Sequence, residues 1–335
     1  MKKQPIPGSL RLWQLVVFLI APVLCALVCL CIGRMNVPVR DLVSLLLGRE
    51  VGAQARAVLW SMRLPRVLLA ALVGAGLSVS GCVFQSLFAN PLATPDTLGV
   101  ASGASCGAAL ALLLGFGLTG LQLTATVFGI GAVGLTWLAA SGKSGGRSRI
   151  VLAGIMIGSL FSALISLLKY VADPESQLPA ITYWLMGSFD SASYGTLALG
   201  AIPIVLGSGI LLALRWRLNL LPLSDEEART SGVRIGALRA VCILCATAIT
   251  AACVSMSGQV GWVGLLAPHV CRMKFGNNHL SLLPACISLG AVFMMLVDTA
   301  ARSLSAGVIP LSVLTAIFGA PFFIVLMRRS GGWQL

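Results

Sequence analysis

Between Arg66 and Asp96 the chain runs for 29 residues without a charged side chain. A helix rises about 1.5 Å per residue and the hydrocarbon layer of a bilayer is roughly 30 Å thick, so this one stretch can cross a membrane. It is rich in small residues, among them Gly74, Gly76, Ser78, Ser80 and Gly81. In lipid no hydrophobic force drives helices together, and small residues let backbones come close enough for packing to do so. Asn90-Pro91 and Pro95-Asp96 then break the helix, because proline lacks a donor and clashes with the preceding turn. The stretch reads as a buried helix with Arg63 and Arg66 at one end and a re-entrant or loop-like exit at the other.

The same property recurs along the chain. Charge-free windows at 12–33, 67–89, 97–142, 150–168, 191–214, 240–271, 275–297 and 303–327 predict ten spans. Window 97–142 holds two, with a turn near 115–120, and 240–271 holds one full span and one short one broken near 258–264. Only 10% of the residues are charged, against about 25% in a soluble domain. The expected fold is all-α and polytopic, one transmembrane domain over 1–335, with halves 1–190 and 191–335. The first window is too long for a secretory signal core, so it reads as a retained span.

The net charge of +13 would suggest nucleic acid in a soluble protein. Here the basic residues sit in short loops and report topology at anionic lipid surfaces, so no nucleic acid is expected. Placing the N-terminus in the cytoplasm puts fifteen Lys and Arg on that side and eight on the other, which favours cytoplasmic N- and C-termini. Six of those eight lie in one external segment, between Arg34 and Arg66. An internal repeat is also visible. Ser78-Val79-Ser80-Gly81-Cys82-Val83 with Pro91 recurs as Ser255-Met256-Ser257-Gly258-Gln259-Val260 with Pro268. The two copies would run in opposite directions through the membrane, which makes the halves inverted, a common transporter construction.

Several candidate chemistries fail on inspection. Gly142-Lys143-Ser144 looks like the end of a phosphate-binding loop, but Trp137 stands where its first glycine must be. ATP hydrolysis is therefore not expected of this chain, nor any other enzymatic step. The ten cysteines lie almost entirely in apolar runs, where free Cys behaves as a small hydrophobe. His269 and His279 are the only histidines, so no metal cluster or resident cofactor is expected. Asp298 and Arg302 sit four apart, acid first, the favourable order for an ion pair. Such a pair reads either as a proton relay or as a structural pair near the membrane surface. The segment from Ser224 to Gly232 is the most polar. Ser224 with Glu227 forms a capping box, Asp225 and Glu226 suit a helix start, and Gly232 suits its end.

These strings carry a family resemblance. R-L-P-R, G-A-G-L-x-V-S-G and N-P-L-A-x-P-D-x-L-G-V-x-S-G-A, followed by G-L-x-x-P-H-x-x-R and D-x-x-A-R with its proline-rich sequel, resemble the permeases of bacterial ABC importers for ferric siderophores, haem and vitamin B12. The resemblance implies a vitamin B12 permease-like fold in the bacterial inner membrane. It implies a permease dimer (homodimer or heterodimer), two ATPase subunits that bind the ATP, and a periplasmic substrate-binding protein. Arg63, Arg66 and Arg302 would dock acidic residues of that protein. Ser224, Asp225, Glu226, Glu227, Ala228, Arg229 and Gly232 would form the coupling helix seated in the ATPase. Asn90, Leu92, Arg147 and Ser148 would form the cytoplasmic gate, although Arg147 departs from the family's small polar residue. Gly154 and Gly158 would lie along the pathway. An iron chelate, a ferric siderophore by preference, is the expected cargo, with haem, cobalamin or an oxyanion as alternatives. The resemblance also favours the structural reading of Asp298 and Arg302, with Arg302 reaching outward. A proton-coupled secondary transporter would need ionisable residues at mid-membrane, and no window holds one deep inside.

Overall fold

Every regular element among the described residues is helical. The computed structural model describes residues 12–329, apart from positions 34, 36, 50, 142–146, 224–226, 228, 229, 231 and 306. We number the helices α1 (Leu12–Cys31), α2 (Val39–Leu46), α3 (Ala53–Ala57), α4 (Leu64–Leu87), α5 (Val100–Leu113), α6 (Leu118–Ala140), α7 (Arg147–Val171), α8 (Gln177–Leu185), α9 (Tyr194–Ala213), α10 (Ile235–Ser257), α11 (Val263–Phe275), α12 (His279–Ser303) and α13 (Leu311–Arg329). A π-helical turn, Val58–Arg63, joins α3 to α4, so helix runs unbroken from Ala53 to Leu87.

By length and composition, seven of the described helices can cross a membrane: α1, α4 with its extension, α6, α7, α9, α10 and α12. The sequence led us to expect ten spans. The third, eighth and tenth fall on α5, α11 and α13, which have 14, 13 and 19 residues. The first two are short for a physical reason: each starts inside the bundle after a break. Before α5, Thr94 and Thr97 close a reciprocal cap around Pro95–Leu98, and Gly99 takes φ +74°. Before α11, Gly258 and Trp262 both take φ +70°. The first residues of both helices, Val100 and Val263, are fully buried.

α4 is the core. Its residues from Val73 to Leu87 are nearly all buried, and it packs against α12, α11 and α10. Packing is reciprocal between the halves. α4 lies on the short α11 and the following α12, while α10 lies on the short α5 and the following α6. Glycine makes the closest contacts. A Cβ on Gly74 would stand 2.2 Å from the Gly290 carbonyl oxygen, and one on Gly290 would stand 2.3 Å from that of Gly74. Such a gap admits no side chain, so the α4–α12 pair needs glycine on both sides. In lipid this close fit is the main attraction available, because burial of apolar surface no longer supplies one.

The two copies of the S-x-S-G-x-V pattern sit in different settings. Ser78–Gly81 lies inside α4, where Gly81 meets the Gly264 carbonyl; Ser255–Ser257 ends α10, and Gly258 turns the chain against Trp184. A glycine serves close approach in one copy and a left-handed turn in the other, so the pattern does not mark equivalent positions.

Candidate functional site

α4 and α12 run antiparallel and are fastened at both ends. The first fastening gathers the arginines. Arg66 Nε donates to both carboxylate oxygens of Asp298 at 2.9 and 3.1 Å, and its Nη1 donates to Asp190 Oδ1 at 2.7 Å. Arg302 Nε lies 3.5 Å from Asp298 Oδ2, the expected i, i+4 pair. Asp298 is 1% exposed, a burial that two guanidinium groups compensate. Asp190 also accepts the Tyr183 hydroxyl at 2.5 Å.

Arg63 and Arg302 do not reach outward. Arg63 Nη1 donates to the carbonyls of Leu30 and Cys31 at 2.7 and 3.1 Å, and its Nη2 donates to that of Met35. Arg302 Nη2 donates to the Cys29 carbonyl and to Thr299 Oγ1. These groups satisfy carbonyls at and just beyond the end of α1, which have no intrahelical donors of their own. All three arginines line one recess of about 560 Å³, beside Asp190. Three positive and two negative groups leave that recess one positive charge in excess.

The opposite fastening contains no carboxylate and was not foreseen from sequence. His279, 3% exposed at the start of α12, places Nε2 2.7 Å from Ser86 Oγ of α4 and Nδ1 2.9 Å from Asn219 Oδ1. Asn219 Nδ2 donates to Asn278 Oδ1 at 3.1 Å, and that oxygen accepts the Leu280 N–H, capping α12. A ring proton on Nδ1 faces the Asn219 oxygen, and Ser86 Oγ, beside Nε2, also donates to the Cys82 carbonyl at 3.0 Å. Nearby, Arg272 donates to Gln85 Oε1. A polar residue at a helix start was the only sequence signal for His279, and its partners lie 60 and 193 residues away.

Asn90 and Leu92 are exposed in the turn after α4, where Asn90 Oδ1 accepts the Leu92 N–H at 2.9 Å. Ser148 is exposed in the first turn of α7; Arg147 begins that helix, and its side chain is outside the described residues. Gly154 and Gly158 face the chain itself. A Cβ on Gly154 would stand 2.1 Å from the Thr97 carbonyl oxygen, and one on Gly158 would stand 3.7 Å from Ser102 Oγ. They seat α7 on the start of α5. Elsewhere on α7, Leu152, Ile155, Met156, Leu160 and Leu167 are each more than half exposed.

A cavity of about 490 Å³ lies between the halves, with Thr94, Asp96, Lys169, Gln259, Trp262 and Ser312 in its wall. Asp96 accepts the N–H groups of Ala101 and Ser102 at 3.0 and 3.2 Å, anchoring the start of α5. Trp262 packs against Gly319 of α13, which leaves no room for a side chain there. The sequence marked this part of the wall only as a break in a span near 258–264.

Of the expected coupling segment, Ser224, Asp225, Glu226, Ala228 and Arg229 lie outside the described residues. Glu227 is helical and exposed, its carbonyl accepts the Thr230 hydroxyl at 2.7 Å, and Gly232 takes φ +70°. The segment follows Asn219 by only a few residues, so it is attached next to the His279 fastening.

Comparison with known proteins places this architecture. The profile of the FecCD transport family matches residues 19–329. The chain is 44% identical over 313 residues to the molybdate import system permease protein MolB of Haemophilus influenzae, covering 92% of this chain and 93% of that one. It is 39% identical to the hemin transport system permease protein HmuU of Yersinia pestis over 80% of this chain and 82% of that one. A solved ABC transporter described as of metal-chelate type, in an inward-facing conformation, is 42% identical and superposes with a TM-score of 0.87, covering 94% of this chain and 98% of that one.

Proposed function

The chain belongs to the FecCD transport family, and on that premise we propose that it is the permease subunit of an ATP-binding-cassette importer carrying a ferric chelate from periplasm to cytoplasm. The observation that carries the importer reading is the full-length match to permeases named for import and transport, including one 44% identical over 92% of this chain. In this reading the N- and C-termini are cytoplasmic, and ten spans include the short α5, α11 and α13. The reciprocal packing of α4 and α10 supports two inverted halves. A second permease copy, identical or related, covers the exposed apolar residues of α7. Two ATPase subunits bind and hydrolyse the ATP. The loop between α9 and α10 couples them to the bundle, and the segment around Asn90, Leu92, Arg147 and Ser148 gates the cytoplasmic side.

The recess at Arg63, Arg66 and Arg302 is the docking site for acidic residues of a periplasmic binding protein. Its excess positive charge supports this role, since charge complementarity sets orientation and association rate. Because the arginines are already engaged, a partner carboxylate enters by sharing Arg66 with Asp190, the more exposed of its two partners.

For the cargo, the cavity wall carries one carboxylate, Asp96, and one ammonium, Lys169, so its charge favours neither cargo class. The chelate reading is supported by the similarity to a hemin permease and to a metal-chelate type transporter. The second reading is molybdate, favoured by the relative with 44% identity. Titrating the cognate binding protein with a ferric siderophore and with molybdate by calorimetry separates the two. Binding of molybdate and not of any ferric chelate overturns the first reading, and binding of neither class removes both.

A further inference from the structure

The segment between α1 and α4 carries a surface that transport itself leaves unused. α2 has two faces. Leu42 is buried against the bundle, while Val39, Val43 and Leu47 stand 64%, 46% and 63% exposed. Residues four apart share one side of a helix, so these three form a single apolar stripe. α2 packs on the end of α1, whose exposed residues are apolar from Val16 through Ile32. Trp60 and Met62, just before Arg63, are 56% and 66% exposed. The apolar surface of a membrane-spanning helix thus continues onto α2.

A turn then fixes two arginines beside that stripe. Gly48 takes φ +70°, the Arg49 N–H donates to the Ser44 carbonyl at 2.8 Å, and the Gly48 N–H donates to that of Leu45 at 3.1 Å. This bond pair is the Schellman helix ending, and it sets the direction in which Arg49 leaves α2. Arg49 and Arg56, both exposed, line a groove of about 390 Å³ with Leu45 and Val51. Among the described residues neither guanidinium has an ion pair.

We infer that this segment is a lipid-binding platform: α2 lies in the membrane–water interface with Val39, Val43 and Leu47 in the acyl layer, and the groove between Arg49 and Arg56 holds the phosphate of an anionic phospholipid headgroup. A guanidinium fork grips phosphate oxygens in pairs, and an amphipathic helix with basic neighbours binds anionic membrane surfaces. An acidic protein surface would match the arginines but would leave the apolar stripe in water. The inference rests on the chain spanning a membrane and does not depend on the cargo or on docking at Arg63, Arg66 and Arg302.

The test is lipid retention by the purified transporter in detergent, read by native mass spectrometry with phosphatidylglycerol and phosphatidylcholine supplied together. The wild type retains phosphatidylglycerol in preference. Arg49→Gln with Arg56→Gln lowers that retention about tenfold to thirtyfold, leaves phosphatidylcholine unchanged, and Val43→Asp lowers it as well. If the glutamine pair does not fold, Arg49→Lys with Arg56→Lys replaces it and lowers retention less, because charge persists while the fork is lost. Full displacement by inorganic phosphate would reduce the groove to an anion site and overturn the lipid assignment. Unchanged retention in whichever pair folds would overturn it too. So would loss of binding-protein affinity by the variant in phosphatidylcholine nanodiscs, which would assign the face to docking.

Discussion

The two ends of the α4–α12 pair solve one problem in two ways. At the Arg66–Asp298 end, full charges meet inside the bundle, and a third group, Asp190, shares Arg66 from a more exposed position. At the Ser86–His279 end, the contacts are between amide, imidazole and hydroxyl groups, and they tie in Asn219 from the chain before the proposed coupling segment. A charged cluster with one replaceable member can exchange a carboxylate with a partner. A network without a carboxylate offers no such exchange, but it can carry a displacement from one element to the next. The first end suits docking and the second suits coupling, and the pair between them is held rigid by the Gly74–Gly290 contact.

Breaking the charged end should cost most in stability. Asp298→Ala leaves Arg66 and Arg302 without their shared buried carboxylate, and the expected loss is about 3–5 kcal/mol, as for other buried pairs with one partner removed. Thermal unfolding of the purified permease measures this. A loss below about 1 kcal/mol would show that water reaches the pair and that the end is not a closed ionic fastening. Arg63→Glu would set a carboxylate against three carbonyl oxygens, so charge reversal there tests folding before it tests docking.

At the other end the cost in stability is smaller and the cost in coupling larger. Ser86→Ala should lose about 0.6–2 kcal/mol, the range spanned by hydrogen bonds between membrane helices. Asn219→Ala should leave the fold and binding-protein affinity in place while ATP hydrolysis proceeds with reduced transport, since it cuts the link between the coupling segment and α12. Transport per ATP equal to wild type in Asn219→Ala would confine that network to a structural role.

The smallest effect belongs to Asp190. Burial pushes this carboxyl up, but the Tyr183 hydroxyl and the Arg66 guanidinium more than offset it and hold the group below the ordinary carboxylate range. Its contribution is therefore complete above that range and is lost as pH falls through its depressed value. Asp190→Asn should lower stability slightly near neutral pH, and the difference from wild type should vanish in acid. A difference that grows as pH falls would reverse the assignment. The same variant should strengthen docking if a partner carboxylate takes the place of Asp190 beside Arg66, which surface plasmon resonance with the binding protein reads directly.

Much of this architecture was legible because charge is so costly in lipid that its absence marks each helix. The windows found α4, α6, α7, α9, α10 and α12, and the i, i+4 spacing found the Asp298–Arg302 pair. Spacing could not find Arg66 on Asp298, since the two lie 232 residues apart and meet only when the helices pack. His279 was hidden for the same reason: its partners come from α4 and from the turn after α9. The repeated S-x-S-G-x-V pattern misled in detail because glycine has two physical uses, close approach at Gly81 and a left-handed turn at Gly258. Gly154 and Gly158 proved to seat α7 on α5, a contact that residue type alone does not distinguish from a pathway position.

Transport itself tests the central claim most directly. The permease is reconstituted in liposomes with its partner ATPase and binding protein, and uptake of radiolabelled ferric chelate and of molybdate is followed. The account predicts uptake of one of these cargoes that requires ATP on the ATPase side, requires the binding protein on the other, and stops with vanadate. Uptake by the permease alone, driven by an imposed proton gradient and indifferent to vanadate, would contradict it.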